Sequence, residues 1–187
     1  MNSLKIDINK TLSFERLSYN KSIFEKISEN GLIIANLSFF LYVTGTNFFK
    51  DIEKSEPFGW SLFFLIIVIS ISFLGLLSYV NGNKLLKIKG VNKTENTKII
   101  KEIVEINNWK IHTDNNELDI INISFLDTQT DYGKQIIVIY KHTDILINCT
   151  SFALGKTPNP FNWFSNKNMI RKVETEFMNK NTLQHCI

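Results

Sequence analysis

The chain has 187 residues, a hydrophobic fraction of 44%, a net charge of +3, two cysteines and three histidines. That length holds one ordinary domain plus an anchor and leaves little room for two cores. The small charge is spread among interleaved acids and bases, which argues against a duplex nucleic-acid surface, and Cys149 and Cys186 are too far apart in sequence for a disulfide framework.

The first thirty residues contain SFERLSYNKSIFEKISEN, where Phe14, Leu17, Phe24 and Ile27 fall on one side at helical spacing. This amphipathic, cytoplasmic segment is expected either along a membrane surface or against the C-terminal domain. Gly31 to Phe49 then forms an apolar run diluted by Asn36, Ser38 and Thr44-Gly45-Thr46-Asn47. Phe58 to Val80 is a longer run without a charged side chain, with Trp60 and Tyr79 near its ends. At 1.5 Å per residue it spans a hydrocarbon core of about 30 Å. The pattern predicts two transmembrane helices over 31–80, joined by the hairpin Lys50 to Pro57. The surplus of lysine and arginine outside that hairpin predicts a multi-pass inner-membrane protein with both termini cytoplasmic.

After Asn81-Gly82-Asn83 the period changes. Residues 95–107 place Ile99, Ile100, Ile103, Val104 and Ile106 on one stripe, with Thr94 as a candidate cap. Strands are expected at Trp109 to Thr113, Glu117 to Leu126, 135–140 and 145–150, followed by a long loop containing Pro158 and Pro160 and a helix over Asn166 to Lys180. The expected cytoplasmic domain, 84–187, is α+β in the order α-β-β-β-β-α. It forms an antiparallel four-stranded meander with both helices on one face.

No motif carries catalysis. The histidines and cysteines lack metal-ligand spacing, and Gly155-Lys156-Thr157 lacks the first glycine of a phosphate loop because Thr150 stands there. Glu117, Asp119, Asp127, Asp131 and Asp144 fall near turns and strand ends, where solvation accounts for them more simply than magnesium binding. No metal, cofactor or enzyme activity is expected.

The one suggestive stretch is SFALGKTPNPFNWFSNKNMIRK, in which Lys156, Lys167, Arg171 and Lys172 surround the start of the last helix beside Phe161, Trp163 and Phe164. Cations near a helix N-terminus hold anions and an aromatic ring stacks on a base, so Lys156, Trp163, Lys167, Arg171 and Lys172 are the candidate site for a nucleotide-like ligand. The simpler alternative is aromatics pinning a loop and solvated cations.

Together these features predict a membrane-anchored effector or sensor that binds a ligand or partner and acts on the bilayer as a homo-oligomer. The layout is similar to that of small two-helix effectors of bacterial antiviral defence, a likeness of arrangement that no motif carries. A tethered interaction, accessory or immunity protein is the alternative.

Overall fold

A computed structural model describes residues 6–20, 23–54, 59–115, 117–124, 133–152, 159 and 162–185. The chain runs α1 (Ile8–Phe14), α2 (Ile23–Glu53), α3 (Gly59–Gly82), β1 (Leu86–Lys89), α4 (Lys93–Ile106), β2 (Lys110–Asn115), β3 (Leu118–Ile123), β4 (Lys134–Lys141), β5 (Asp144–Ser151) and α5 (Trp163–His185).

The strands form one antiparallel sheet in the order β1-β5-β4-β3-β2, so the four-stranded expectation is corrected to five among the described residues. The added strand is LKIK, paired from Leu86 opposite Ile147 to Lys89 opposite Asp144. Its Ile88 is buried while Lys87 and Lys89 face outward, the half-wet alternation of an edge strand whose charges discourage further pairing. Four residues directly after a long helix are too few to stand out as a sequence period.

Strands β4 and β5 are buried along nearly their whole length, which requires cover on both faces of the sheet. On one face, Ile99, Ile100, Ile103 and Val104 of α4 and Val173 and Phe177 of α5 pack on Ile121, Ile136, Val138, Ile145 and Ile147. The other face carries Leu118, Ile120, Ile137, Ile139 and Leu146, and it is covered by Leu17 with Ile6, Ile8, Leu12 and Tyr19. Residues Ile6 to Tyr19 are therefore a layer on the sheet; of the expected stripe, Leu17 packs there, Phe14 is exposed, and the side chains of Phe24 and Ile27, in α2, lie outside the described residues.

Local chemistry explains this segment's path. Asp7 caps α1 by accepting from the Lys10 amide at 3.1 Å, and Glu15 ends the helix at a left-handed φ of 50°. Buried Thr11 then accepts from the Ser18 amide at 3.0 Å, and the Asp7 amide donates to the Ser18 carbonyl at 2.8 Å, folding the segment back on itself.

Asn92, not Thr94, caps α4, accepting from the Glu95 amide at 2.9 Å. Asn96 is fully buried behind it and bridges the Val91 amide and the Thr143 carbonyl, which seats the start of α4 on the β4–β5 turn.

The second membrane expectation is also corrected. One described helix, Trp60–Gly82, is long and apolar enough to cross a membrane, with a mean hydropathy of 2.6 over its most apolar window. Gly31 to Phe49 instead forms the middle of the 31-residue helix α2, whose apolar run is broken by Ser38, Thr44, Thr46 and Asn47. The multi-pass inner-membrane placement with both termini cytoplasmic rested on two spans and is not supported.

Helix α3 packs against α2. Its less exposed positions, Ser61, Leu65, Ile67, Val68, Ser72, Gly75, Leu77 and Ser78, recur mostly at three- and four-residue spacing, as expected of a helix-packing stripe, and half of them are small. The remaining surface of α3, including Phe63, Phe64, Ile66, Ile69, Phe73 and Leu76, is exposed. Ser70 in α3 returns its hydroxyl to the Ile66 carbonyl at 2.8 Å, satisfying a polar group without water. The side chain of Asn36, one of the polar residues in the first apolar run, lies outside the described residues.

Candidate functional site

A cleft of about 460 Å³ opens where the end of α3 enters the sheet domain. One wall is Asn81, Gly82, Lys84, Leu85 and Leu86; the floor is Asn148 and Cys149 of β5; the other wall is Trp163, Asn166, Lys167, Ile170, Arg171 and Glu174 of α5. The wall residues of α5 recur every three or four positions and so share one helical face.

The α3 wall is held from two sides. The Asn148 side-chain amide donates to the carbonyls of Gly82 at 2.9 Å and Lys84 at 2.8 Å, and its own oxygen accepts from Thr150. From the N-terminal layer, Arg16 donates to the Val80 carbonyl at 3.1 Å and the Leu17 amide to the Asn83 carbonyl at 2.8 Å, while the Leu85 amide donates to the Glu15 carbonyl at 3.2 Å. Asn81 turns back on the Leu77 carbonyl at 2.8 Å. Carbonyls that a helix end leaves open are thus filled by named donors, which fixes the direction in which α3 leaves the sheet.

On the α5 wall, Asn166 is only 8% exposed. Its Oδ1 accepts from Ser151 Oγ and lies 3.8 Å from Cys149 Sγ, while its Nδ2 has no hydrogen-bond partner among the described residues. A buried amide with a donor to spare on a cleft wall suits an acceptor in the cleft.

Three cations, Lys84, Lys167 and Arg171, line the cleft against one carboxylate, Glu174. None of the three is ion-paired among the described residues; Lys167 Nζ lies 5.4 Å from the Trp163 ring centroid, and the Trp163 and Phe164 rings meet at 4.7 Å, tilted by 56°. An excess of unpaired donors around one cavity with an aromatic wall fits a phosphate-bearing ligand.

Of the five residues expected from sequence, the structure brings Trp163, Lys167 and Arg171 together. Lys172 is not part of the cleft, because adjacent residues of a helix point about 100° apart. Lys172 Nζ instead donates to Asn107 at the end of α4 and lies 5.3 Å from the Trp109 ring centroid, tying α5 to the α4–β2 corner. Lys156 and Phe161 lie outside the described residues. Sequence reasoning missed Asn81, Lys84, Asn148 and Asn166. Their one available signal was polar Asn148 inside an otherwise apolar central strand.

The carboxylates read as solvated turn residues divide. Asp144 pairs with Lys87 at 2.9 Å on the surface. Asp119 corrects that reading: it is 3% exposed inside the helix-covered face and accepts from Tyr140 Oη at 2.7 Å. Asp127 and Asp131 lie outside the described residues. Among the described residues no three His, Cys, Asp or Glu side chains group as metal ligands.

No protein-family model, curated protein or solved structure matches this chain.

Proposed function

We propose that this protein is a membrane-anchored sensor whose sheet domain binds a phosphate-bearing ligand in the cleft between α3 and α5. The observation that supports this most is the convergence around one cavity of Lys84, Lys167 and Arg171, not ion-paired among the described residues, with Trp163 and the amide of Asn166. Its chemistry is read as binding: among the described residues the cleft holds cationic and amide donors, one carboxylate and the buried thiol of Cys149, which has an amide and no base as its neighbour. The anchor is α3, whose apolar exposed surface suits hydrocarbon and is unfavourable in water by about 25 cal/mol for each Å².

The cleft wall and the anchor share a helix end, so a ligand touching Asn81 and Lys84 acts directly on the segment through which α3 leaves the sheet. That continuity makes a sensor the better reading than a passive tether.

Thermal unfolding of the full chain in a non-ionic detergent tests the proposal, with inorganic phosphate, pyrophosphate and linear and cyclic nucleotides as probes. A ligand at a hundredfold excess over its dissociation constant stabilises by about 2.7 kcal/mol. A shift is expected with at least one phosphate compound and is expected to vanish in Lys167→Ala/Arg171→Ala. A shift that survives in that variant would move the ligand elsewhere; no shift with any probe would exclude a soluble phosphate compound as the ligand. Extraction of membranes with alkaline carbonate tests the anchor, which is expected to stay in the pellet.

A further inference from the structure

We infer that the phosphate group taken by this cleft belongs to the headgroup of an anionic phospholipid, in the leaflet that receives the C-terminal end of α3. The inference rests on the anchored, anion-binding reading above and adds the source of the ligand.

Position comes first. Tyr79 is exposed near the end of the candidate span, with Trp60 75% exposed at the other end, and rings of this kind settle where hydrocarbon meets headgroups. Asn81 and Gly82 follow Tyr79 by two and three residues, about 3 to 5 Å along a helix. The headgroup layer on each side of a bilayer is about 5 to 8 Å thick. The α3 wall of the cleft therefore lies at the depth of the lipid phosphates, and Lys84 lies just past it.

The opposite wall agrees. Phe164 is 62% exposed beside half-buried Trp163, which puts an aromatic ring at the surface next to the cleft. In water such a ring is an apolar liability, whereas at an interface it is an anchor. Lys167 holds its ammonium over the Trp163 ring and Arg171 follows one turn later, so cations and rings alternate along the face that shares the cleft with α3.

Charge and tethering then select the source. Lining cations exceed carboxylates by three to one, an excess of positive charge that favours an anionic headgroup, and basic residues at an anionic leaflet are attracted individually. A lipid in the same plane as α3 is always within reach, so its effective concentration exceeds that of a dilute soluble anion. Ser151 and Cys149 already occupy the Asn166 oxygen, leaving its Nδ2 to donate to a phosphate or glycerol oxygen.

The test uses the full chain in mixed vesicles of phosphatidylcholine and phosphatidylglycerol, with co-purified lipid counted by native mass spectrometry after detergent extraction. Wild type is expected to retain phosphatidylglycerol over phosphatidylcholine by about tenfold, and Lys84→Ala/Lys167→Ala/Arg171→Ala to bring that ratio near unity. Lys167→Arg, which keeps the charge, is expected to leave the preference intact. Thermal unfolding with inorganic phosphate and nucleotides is run on the same two proteins. Equal lipid ratios, together with a nucleotide or phosphate shift that only wild type shows, would overturn the lipid source and keep the anion cleft. Equal lipid ratios and no shift in either protein would overturn both.

Discussion

The side chain of Asn148, in the middle of strand β5, donates to the backbone carbonyl of Gly82 at the last residue of α3. A second donation, to the Lys84 carbonyl, makes this buried amide the joint between the apolar helix and the sheet. Replacing it with leucine keeps the volume but leaves both carbonyls without that donor. Since a hydrogen bond that leaves a buried partner unsatisfied costs about 1 to 3 kcal/mol, Asn148→Leu is expected to lose at least that much stability. Chemical denaturation of the full chain in detergent measures it; a loss below about 0.5 kcal/mol would mean that water reaches these carbonyls.

The second face of the sheet yields a separate expectation. Leu17 is 5% exposed and caps a patch made by Leu118, Ile120, Ile137, Ile139 and Leu146. Leu17→Ala is expected to cost about 2 to 5 kcal/mol, as for other large-to-small changes in a core. A fragment of residues 84–187 lacks this cover and is expected to bind a hydrophobic dye and self-associate. A monomeric, cooperatively unfolding fragment would show that the N-terminal layer is dispensable.

Much of the sheet domain was legible because its strands and helices keep clean periods. QIIVIY and ILINCT read as central strands, and the Ile99 to Val104 stripe read as a helix face. The second covering layer of β4 and β5 was not expected: it comes from Ile6 to Tyr19, and of the stripe read in the sequence only Leu17 belongs to it. Periodicity shows that a face is apolar and not what meets it. For the same reason half the cleft was hidden: Trp163, Lys167 and Arg171 are neighbours in sequence, whereas Asn81, Lys84 and Asn148 reach them only through the pairing of β1 with β5. Strand β1 itself escaped because its partner lies about sixty residues away along the chain.

Gly90 marks a close approach that a methyl group would spoil. A Cβ there would overlap the side chain of Asn96, nearer than ordinary contacts permit. Asn96 cannot retreat without releasing the Val91 amide at 3.1 Å and the Thr143 carbonyl at 3.0 Å. Gly90→Ala is therefore expected to destabilise by about 1 to 3 kcal/mol. Combining it with Asn96→Gly, which makes space for the methyl, is expected to be less harmful than the sum of the two single changes. Strict additivity in unfolding measurements would place the strain elsewhere.

The buried tyrosines set an alkaline limit. Burial pushes the Tyr140 phenol well above its ordinary value, and its bond to the Asp119 carboxylate adds to the rise because an ionised phenolate would face that charge. Burial also raises Tyr19, with its bond to Thr150 opposing in part. In the unfolded chain both phenols titrate near pH 10. Above that pH the unfolded state has released protons that the folded state still holds, so stability is full below about pH 10 and falls as pH rises. Each phenol contributes a limiting slope of about 1.4 kcal/mol per pH unit. Tyr140→Phe removes one such slope but leaves buried Asp119 without its donor. The variant is therefore expected to be less stable than wild type at pH 8, with the two denaturation curves converging as pH rises past 10. Parallel curves across that range would mean that the Tyr140 phenol titrates alike in the folded and unfolded chain.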